Sequence, residues 1–385
     1  MKQDLKNRLK RIHGTTKAPA PRSPAKSPEL NLASWPGWTI EGHQTLKRRI
    51  FLDLPSPAGR EGPLDSPWPQ ALAILVPDLF ALGRIPEPEE LLFFDLETTG
   101  LSGGAGTIAF LAAFGRFAQG RLELTQYLLL DYPGEPDFVD LVLKEFGPPL
   151  DSDLAMPLLV TYNGKSFDAQ ILKTRCLMNG LRFPDFFHAD LLHPARRLWK
   201  AVLHNCSQGT IETSLLGLDR TGDRSGAEAP DIWFSFLKTG ENGDLLDICL
   251  HNEKDILGLA CLFLAMTQIA GAPLEDPYPY DAAGPAFAYR RALCLHRDFF
   301  APGLSGPSLD EEAQLLLEKA ARSGSRRPEA LKVLAIEAEW KHKDLAQALE
   351  YSQMALALPE LGDQMRENFE RREQRLRAKI PPVKP

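Results

Sequence analysis

The 385-residue chain has no Cys-x2-Cys pair, and its five cysteines, Cys176, Cys206, Cys249, Cys261 and Cys294, are scattered and odd in number. Neither a zinc ribbon nor a disulfide framework is supported by that pattern. Most of these thiols stand in apolar helical contexts, where a buried structural role is the default. No apolar run reads as long enough to span a bilayer, and the N-terminus lacks a signal peptide's apolar core and cleavage pattern. The expectation is a cytoplasmic protein with no membrane partner. A surplus of positive charge is missing too. The net charge is −7, which does not favour nucleic-acid binding through a globally basic surface. Ser102-Gly103-Gly104-Ala105-Gly106-Thr107 lacks the Gly-Lys-Ser/Thr ending of a phosphate loop and reads as a tight connection between strands.

Positive charge is local instead. The first 26 residues hold eight Lys and Arg against the lone acid Asp4. Further groups are Lys173, Arg175 and Arg182; Arg196, Arg197 and Lys200 around Trp199; and Arg290, Arg291 and Arg297. Each is a candidate phosphate contact, with a solvated helix face as the alternative.

What is present is concentrated in three places. Leu91-Leu92-Phe93-Phe94-Asp95-Leu96-Glu97 is an apolar run that passes directly into two acids. The run predicts a buried central strand over 91–97. Alternation along a strand puts Asp95 and Glu97 on one face. Two carboxylates there repel unless a cation lies between them, and hard divalent ions take such oxygen ligands. Residues 158–162 predict a second strand, followed by the turn Asn163-Gly164 and by Asp168 at the start of a helix over 168–179. Exposed backbone N–H groups at a helix start favour the ionised carboxylate. A long helix is expected over 244–266, where His251 and Asp255 lie four apart and so share a face. Asp190, at the end of a strand over 186–190, reads either as a further ligand or as a strand-end cap.

Asp-x-Glu on the first strand, Asn163-x3-Phe167-Asp168 in the middle and His251-x3-Asp255 on a late helix resemble the three motifs of the DEDD exonucleases, within the ribonuclease H-like superfamily. Together with residues 94–107 and 190–199, they most resemble the YprB-like proteins, an exonuclease domain followed by a helical-repeat tail. The likeness runs over roughly residues 30 to 270 and more loosely over the tail. In one respect the chain departs. The subgroup with a catalytic His usually places four residues between His and Asp; here there are three, the spacing of the subgroup that carries Tyr.

The resemblance implies a two-metal phosphodiester hydrolase using magnesium or manganese, with metal ligands Asp95, Glu97, Asp168 and Asp255. Asp95 would bridge both ions, Glu97 and Asp255 would complete one shell, and Asp168 would hold the other. His251 would accept the proton of the attacking water. Thr98, Thr99, Gly100 and Leu101 would meet the terminal nucleotide, with Leu101 wedged against its base. Asn163, Lys165 and Ser166 would face phosphate or sugar.

The expected fold is α/β: a ribonuclease H-like mixed five-stranded sheet flanked by helices, plus an all-α tetratricopeptide-like (TPR-like) C-terminal region. Five segments are expected. They are a basic flexible arm (1–30), a Pro-rich segment packed on the nuclease domain (31–90), the exonuclease domain (91–270), a linker (271–308) and the helical tail (309–385). Within the second, 45–52 predicts a strand and 69–82 a helix. Within the third, 107–117 and 121–130 predict strands and 135–146 a helix.

The function expected is a metal-dependent 3′–5′ exonuclease on single-stranded or 3′-ended nucleic acid, DNA favoured, in DNA repair or processing. The tail is read as a groove for a protein partner, with a helicase as the conjectured one. The competing readings are a catalytically silent nucleic-acid-binding scaffold and a ribonuclease H-like endonuclease.

Overall fold

In the computed structural model the described residues are 32–55, 68–100, 106–148, 156–200, 202–272, 274, 283–296, 299, 309–322, 326–359 and 361–380. The chain divides into two units, 1–36 and 37–385. The described part of the first holds the 3-10 turn Leu32–Ser34; everything below belongs to the second.

Strands β1 (Trp38–Gly42) and β2 (Thr45–Leu52) form a hairpin, and β2 pairs antiparallel with a later strand, β5. The segment expected as one helix over 69–82 is instead α1 (Leu72–Leu75) and the 3-10 turn Pro77–Leu82. Pro77 explains the break, because it lacks the N–H that would continue the helix. Strands β3 (Leu91–Thr98), β4 (Ala109–Ala118) and β5 (Arg121–Leu129) follow as an antiparallel meander. Helix α2 (Glu135–Lys144) leads to β6 (Leu158–Thr161), α3 (Asp168–Met178), β7 (His188–Asp190) and α4 (Leu192–Trp199). Strand β6 runs parallel to β3 and to β7. The sheet has seven strands in the order β1-β2-β5-β4-β3-β6-β7. The fold class is as expected, and the strand count corrects the expected five. The β1–β2 hairpin extends the meander at β5, and β1 exposes most of its side chains, which leaves little apolar alternation to read.

A short helix α5 (Gln208–Ile211) continues as the π-turn Glu212–Leu216. Helix α6 (Ala229–Thr239) precedes α7 (Gly243–Gly271), which lies across β3, β4 and β5. The two faces of β3 divide cleanly. Phe93 meets Phe263 of α7 at 6.1 Å, whereas Phe94 stacks on Phe114 at 5.0 Å and meets Phe146 at 5.5 Å. Asp95 and Glu97 therefore share the α7 face with Phe93. By length and composition α7 is long and apolar enough to cross a membrane, which corrects the expectation that no run is; 72% of its apolar window is buried inside the protein, as in a core helix.

The approach of α7 to the sheet depends on Gly115. A Cβ there would lie 2.6 Å from Ile256 Cγ2 and 3.3 Å from Phe93 Cβ. Gly115→Ala is expected to cost about 1–3 kcal/mol by overpacking, read as a lower urea midpoint. An unchanged midpoint would show that α7 sits less tightly than this.

The C-terminal region is helical. Part of the expected linker is a helix, α8 (Ala283–Leu295), which packs on α1, α4 and α9 (Leu309–Arg322). Then come α10 (Arg327–Trp340), α11 (Leu345–Leu356) and α12 (Asp363–Lys379), each packed on the next. One apolar cluster runs from Phe93 and Phe263 through Tyr289 and Leu316 to Leu334 and Phe369. The tail thus shares a core with the sheet rather than hanging from it.

Candidate active site

Three elements converge at the C-terminal end of β3. Asp95 and Glu97 come from β3, Asp168 opens α3, and His251 and Asp255 come from one face of α7. All five line one pocket of about 310 Å³, together with Thr98, Tyr162, Asn163 and Gly226. Glu97, His251 and Asp255 offer ligand atoms that lie within 4.8 Å of one another. Gly226 keeps the wall open: a Cβ there would stand 3.3 Å from His251 Nε2 and 3.8 Å from Glu97 Oε1.

The acids resist ionising together. Burial pushes the Asp95 carboxyl up to about 7 and the charge of Asp255 adds to it, against a hydrogen bond from Asn252 and the charge of His251. Glu97 is held well above the usual carboxylate range by burial, then by Asp95, Asp255 and Asp168. Asp168 is raised by burial, then by Asp95 and Asp190. Carboxylates so arranged accept a cation readily, and a set of carboxylate oxygens with one imidazole suits a divalent ion.

A pH dependence follows for the metal-free protein. The Asp95 pKa is raised from 3.8 to about 7 in the fold, so between those values the native state holds a proton that the unfolded chain releases. Stability from this group is present at low pH and is lost as pH rises towards 7. In EDTA the thermal midpoint should be higher at pH 5 than at pH 8. Asp95→Asn should raise the midpoint at pH 8 by more than it does at pH 5. No rise at pH 8 would mean that the acids do not strain one another.

The remaining candidates divide. Thr98 and Asn163 line the pocket. The Thr98 hydroxyl donates to the Gly100 carbonyl at 3.0 Å, and the Thr99 hydroxyl accepts the Ile108 N–H at 3.0 Å, so both shape the turn that includes Gly100. The Lys165 ammonium is 2.7 Å from Asp78, while the Ser166 N–H donates to the Asn163 carbonyl at 3.2 Å. Neither residue is in the pocket wall. Leu101 lies outside the described residues. Asp190 is a cap: it accepts the N–H groups of Asn163 at 2.8 Å, Lys165 at 3.1 Å and Leu192 at 3.1 Å. That fixes the loop on which Asn163 adopts φ = 67°.

A second group of residues around the pocket was not anticipated. Fully buried Asn252 donates to Asp95 Oδ2 at 2.7 Å and accepts from Gln126 at 3.1 Å. A polar residue in the apolar stripe of Ile248, Cys249 and Ile256 is its one sequence signal. Asp223 lies 2.9 Å from His251 Nδ1, and His251 Nε2 is 3.3 Å from Asp255 Oδ2. Arg220 ties the cluster together, reaching Glu212 and Asp255 at 2.5 Å and Asp223 at 2.6 Å. Glu212 is fully buried, with its carboxyl raised to about 7 by burial against the opposing charge of Arg220. It presses on α7 where Gly258 leaves room, since a Cβ there would fall 1.6 Å from Glu212 Oε1. No sequence signal marked Arg220, Asp223 or Glu212.

Comparison with known proteins agrees with this geometry. A family model described as the RNase_H superfamily matches residues 92–267, which include all five residues of the pocket cluster. The chain is similar to the Bacillus subtilis (strain 168) protein YprB, described as uncharacterized, at 34% identity over 293 residues, 69% of each chain. The chain therefore belongs to the ribonuclease H superfamily, in the family of YprB, and is at that level a nucleic-acid-processing hydrolase.

Proposed function

We propose that this chain is a metal-dependent 3′–5′ exonuclease that hydrolyses phosphodiester bonds, DNA favoured, in DNA repair or processing. The observation that carries the reading is the convergence of Asp95, Glu97, Asp168, His251 and Asp255 on one pocket. Asp95, Glu97, Asp168 and Asp255 would hold two divalent ions, magnesium or manganese. Bound there, such ions supply an activated water and neutralise charge on the phosphoryl oxygens.

The protein's own part is positional. Asp223 at Nδ1 of His251 favours the tautomer with its proton on that nitrogen, which leaves the Nε2 lone pair directed at the pocket. Nε2 would accept the proton of the attacking water. Asn252 orients Asp95 through its amide. Thr98 and Asn163, in the same wall, would meet the terminal nucleotide. The 3′ to 5′ direction rests on the likeness to the DEDD exonucleases, and DNA is the substrate we favour. The helical tail we read as a TPR-like docking region for a protein partner such as a helicase.

Substrate topology tests this directly. Linear 5′-labelled single-stranded DNA and RNA are incubated with manganese or magnesium beside a covalently closed single-stranded circle. A ladder shortening from the 3′ end, with the circle intact, is the expected result. A cut circle would make the enzyme an endonuclease, and intact substrates throughout would make the fold a scaffold.

A further inference from the structure

A second pocket, of about 470 Å³, is lined by His193, Arg196, Arg197, Lys200, Arg291 and Arg326. The first four belong to α4 and its C-cap Lys200, Arg291 to α8, and Arg326 caps α10. No acid lines it. Such a concentration of cations stands out in a chain of net charge −7.

Several arginines elsewhere, buried and exposed, are paired with acids. Arg175 is bound by Glu135, Arg84 by Glu90, Arg372 and Arg375 by Glu339. The neighbouring Arg290 is held by Glu337 and Gln314. Among the described residues, Arg196, Arg197, Lys200 and Arg291 form no ion pair. The Arg197 Nε is buried without a hydrogen-bond partner. Its pKa is lowered by burial and then by Arg291, with Asp78 opposing. The half-buried Arg197 beside the like charge of Arg291 is unfavourable, and an anion in the pocket would offset that repulsion.

The elements that carry the two pockets meet. Asp190, two residues before α4, accepts the N–H of Asn163 in the wall of the acidic pocket at 2.8 Å, and α4 carries Arg196 and Arg197 of the basic one. We propose that the basic pocket holds backbone phosphates of the nucleic-acid strand whose end is in the acidic pocket. The helical region would then build part of the substrate path, through Arg291 and Arg326. This rests on the nuclease reading above and assigns its substrate a second point of attachment.

Arg196, Lys200 and Arg291 are exposed, so substituting them leaves the core intact. The test is fluorescence anisotropy of a labelled single-stranded oligonucleotide with the full chain in EDTA, across a salt series. It compares wild type with the triple variant Arg196→Ala, Lys200→Ala, Arg291→Ala, with the thermal midpoint as the control for folding. The Kd is expected to rise ~10-fold or more, and the dependence of log K on log salt to become shallower by about two units, at ~0.7 per lost phosphate contact. The same Kd and slope as wild type would overturn the proposal. So would inorganic phosphate raising the midpoint through these residues while oligonucleotide binding ignores them, which would mark a free-anion site. Cleavage is read separately: a wild type that cuts while the slope is unmoved sinks this inference alone, and one that binds through these residues without cutting sinks the nuclease reading alone.

Discussion

Asp95→Ala is expected to lower metal-dependent cleavage by about 10³-fold or more, the scale seen when a group acting in the transition state is removed. Several features of this side chain converge on that value. It shares the α7 face of β3 with Glu97, it lines the same pocket as Asp168, and its pKa is raised by Asp255. Its charge in turn raises the carboxyls of Glu97 and Asp168. Its removal should also weaken manganese binding in a calorimetric titration. The substitution leaves Asn252 without its acceptor, so Asp95→Asn belongs beside it as the gentler change. If both variants fold and cut at the wild-type rate, the pocket is not the active site.

The largest effect on stability is expected at Arg220. Its guanidinium meets three carboxylates, Glu212, Asp223 and Asp255. Replacing it with Met leaves Glu212 buried and uncompensated against Gly258 of α7. Breaking one side of a buried ion pair costs about 3–5 kcal/mol, and that loss is predicted for Arg220→Met at pH 8 in EDTA, measured by urea unfolding. Glu212 already has its carboxyl raised to about 7, so without Arg220 it takes up a proton more easily still, and the loss should shrink at pH 5. Adding Glu212→Gln should restore part of the stability at pH 8, because partners in one network are not additive. A loss under about 1 kcal/mol at pH 8, within the range of an exposed pair, would show that the network is solvated and that His251 is not held by it.

The sequence made some of this site readable and hid the rest, for physical reasons. Asp95 and Glu97 were readable because strand alternation is a strict period of two and the preceding apolar run fixed the strand. His251 and Asp255 were readable because one helical turn joins them. Asp168 was readable because it opens α3. The polar residues that hold them were not. Arg220 and Asp223 lie in irregular backbone between Leu216 and Gly226, where no period exists, and their partners are reached only through the fold. Charge alone also misled. Adjacent Arg290 and Arg291 look alike in sequence, yet Arg290 is a structural ion pair with Glu337 and Arg291, without an ion pair among the described residues, lines the basic pocket. Lys165, expected at the substrate, is paired with Asp78, and Arg175, a candidate phosphate contact, is paired with Glu135. The sheet showed the same limit. Its meander and parallel strands followed from apolar runs, whereas β1, largely exposed, carries no such run.

The claim on which everything rests is that the acidic pocket is a divalent-cation site. Crystals soaked in manganese, with anomalous scattering used to locate the metal, test it most directly. Manganese peaks are expected within reach of Asp95, Glu97, Asp168 and Asp255, and are expected to be lost in Asp95→Ala. A wild-type pocket with no anomalous peak at millimolar manganese, while the same crystals take up the ion elsewhere, would contradict it.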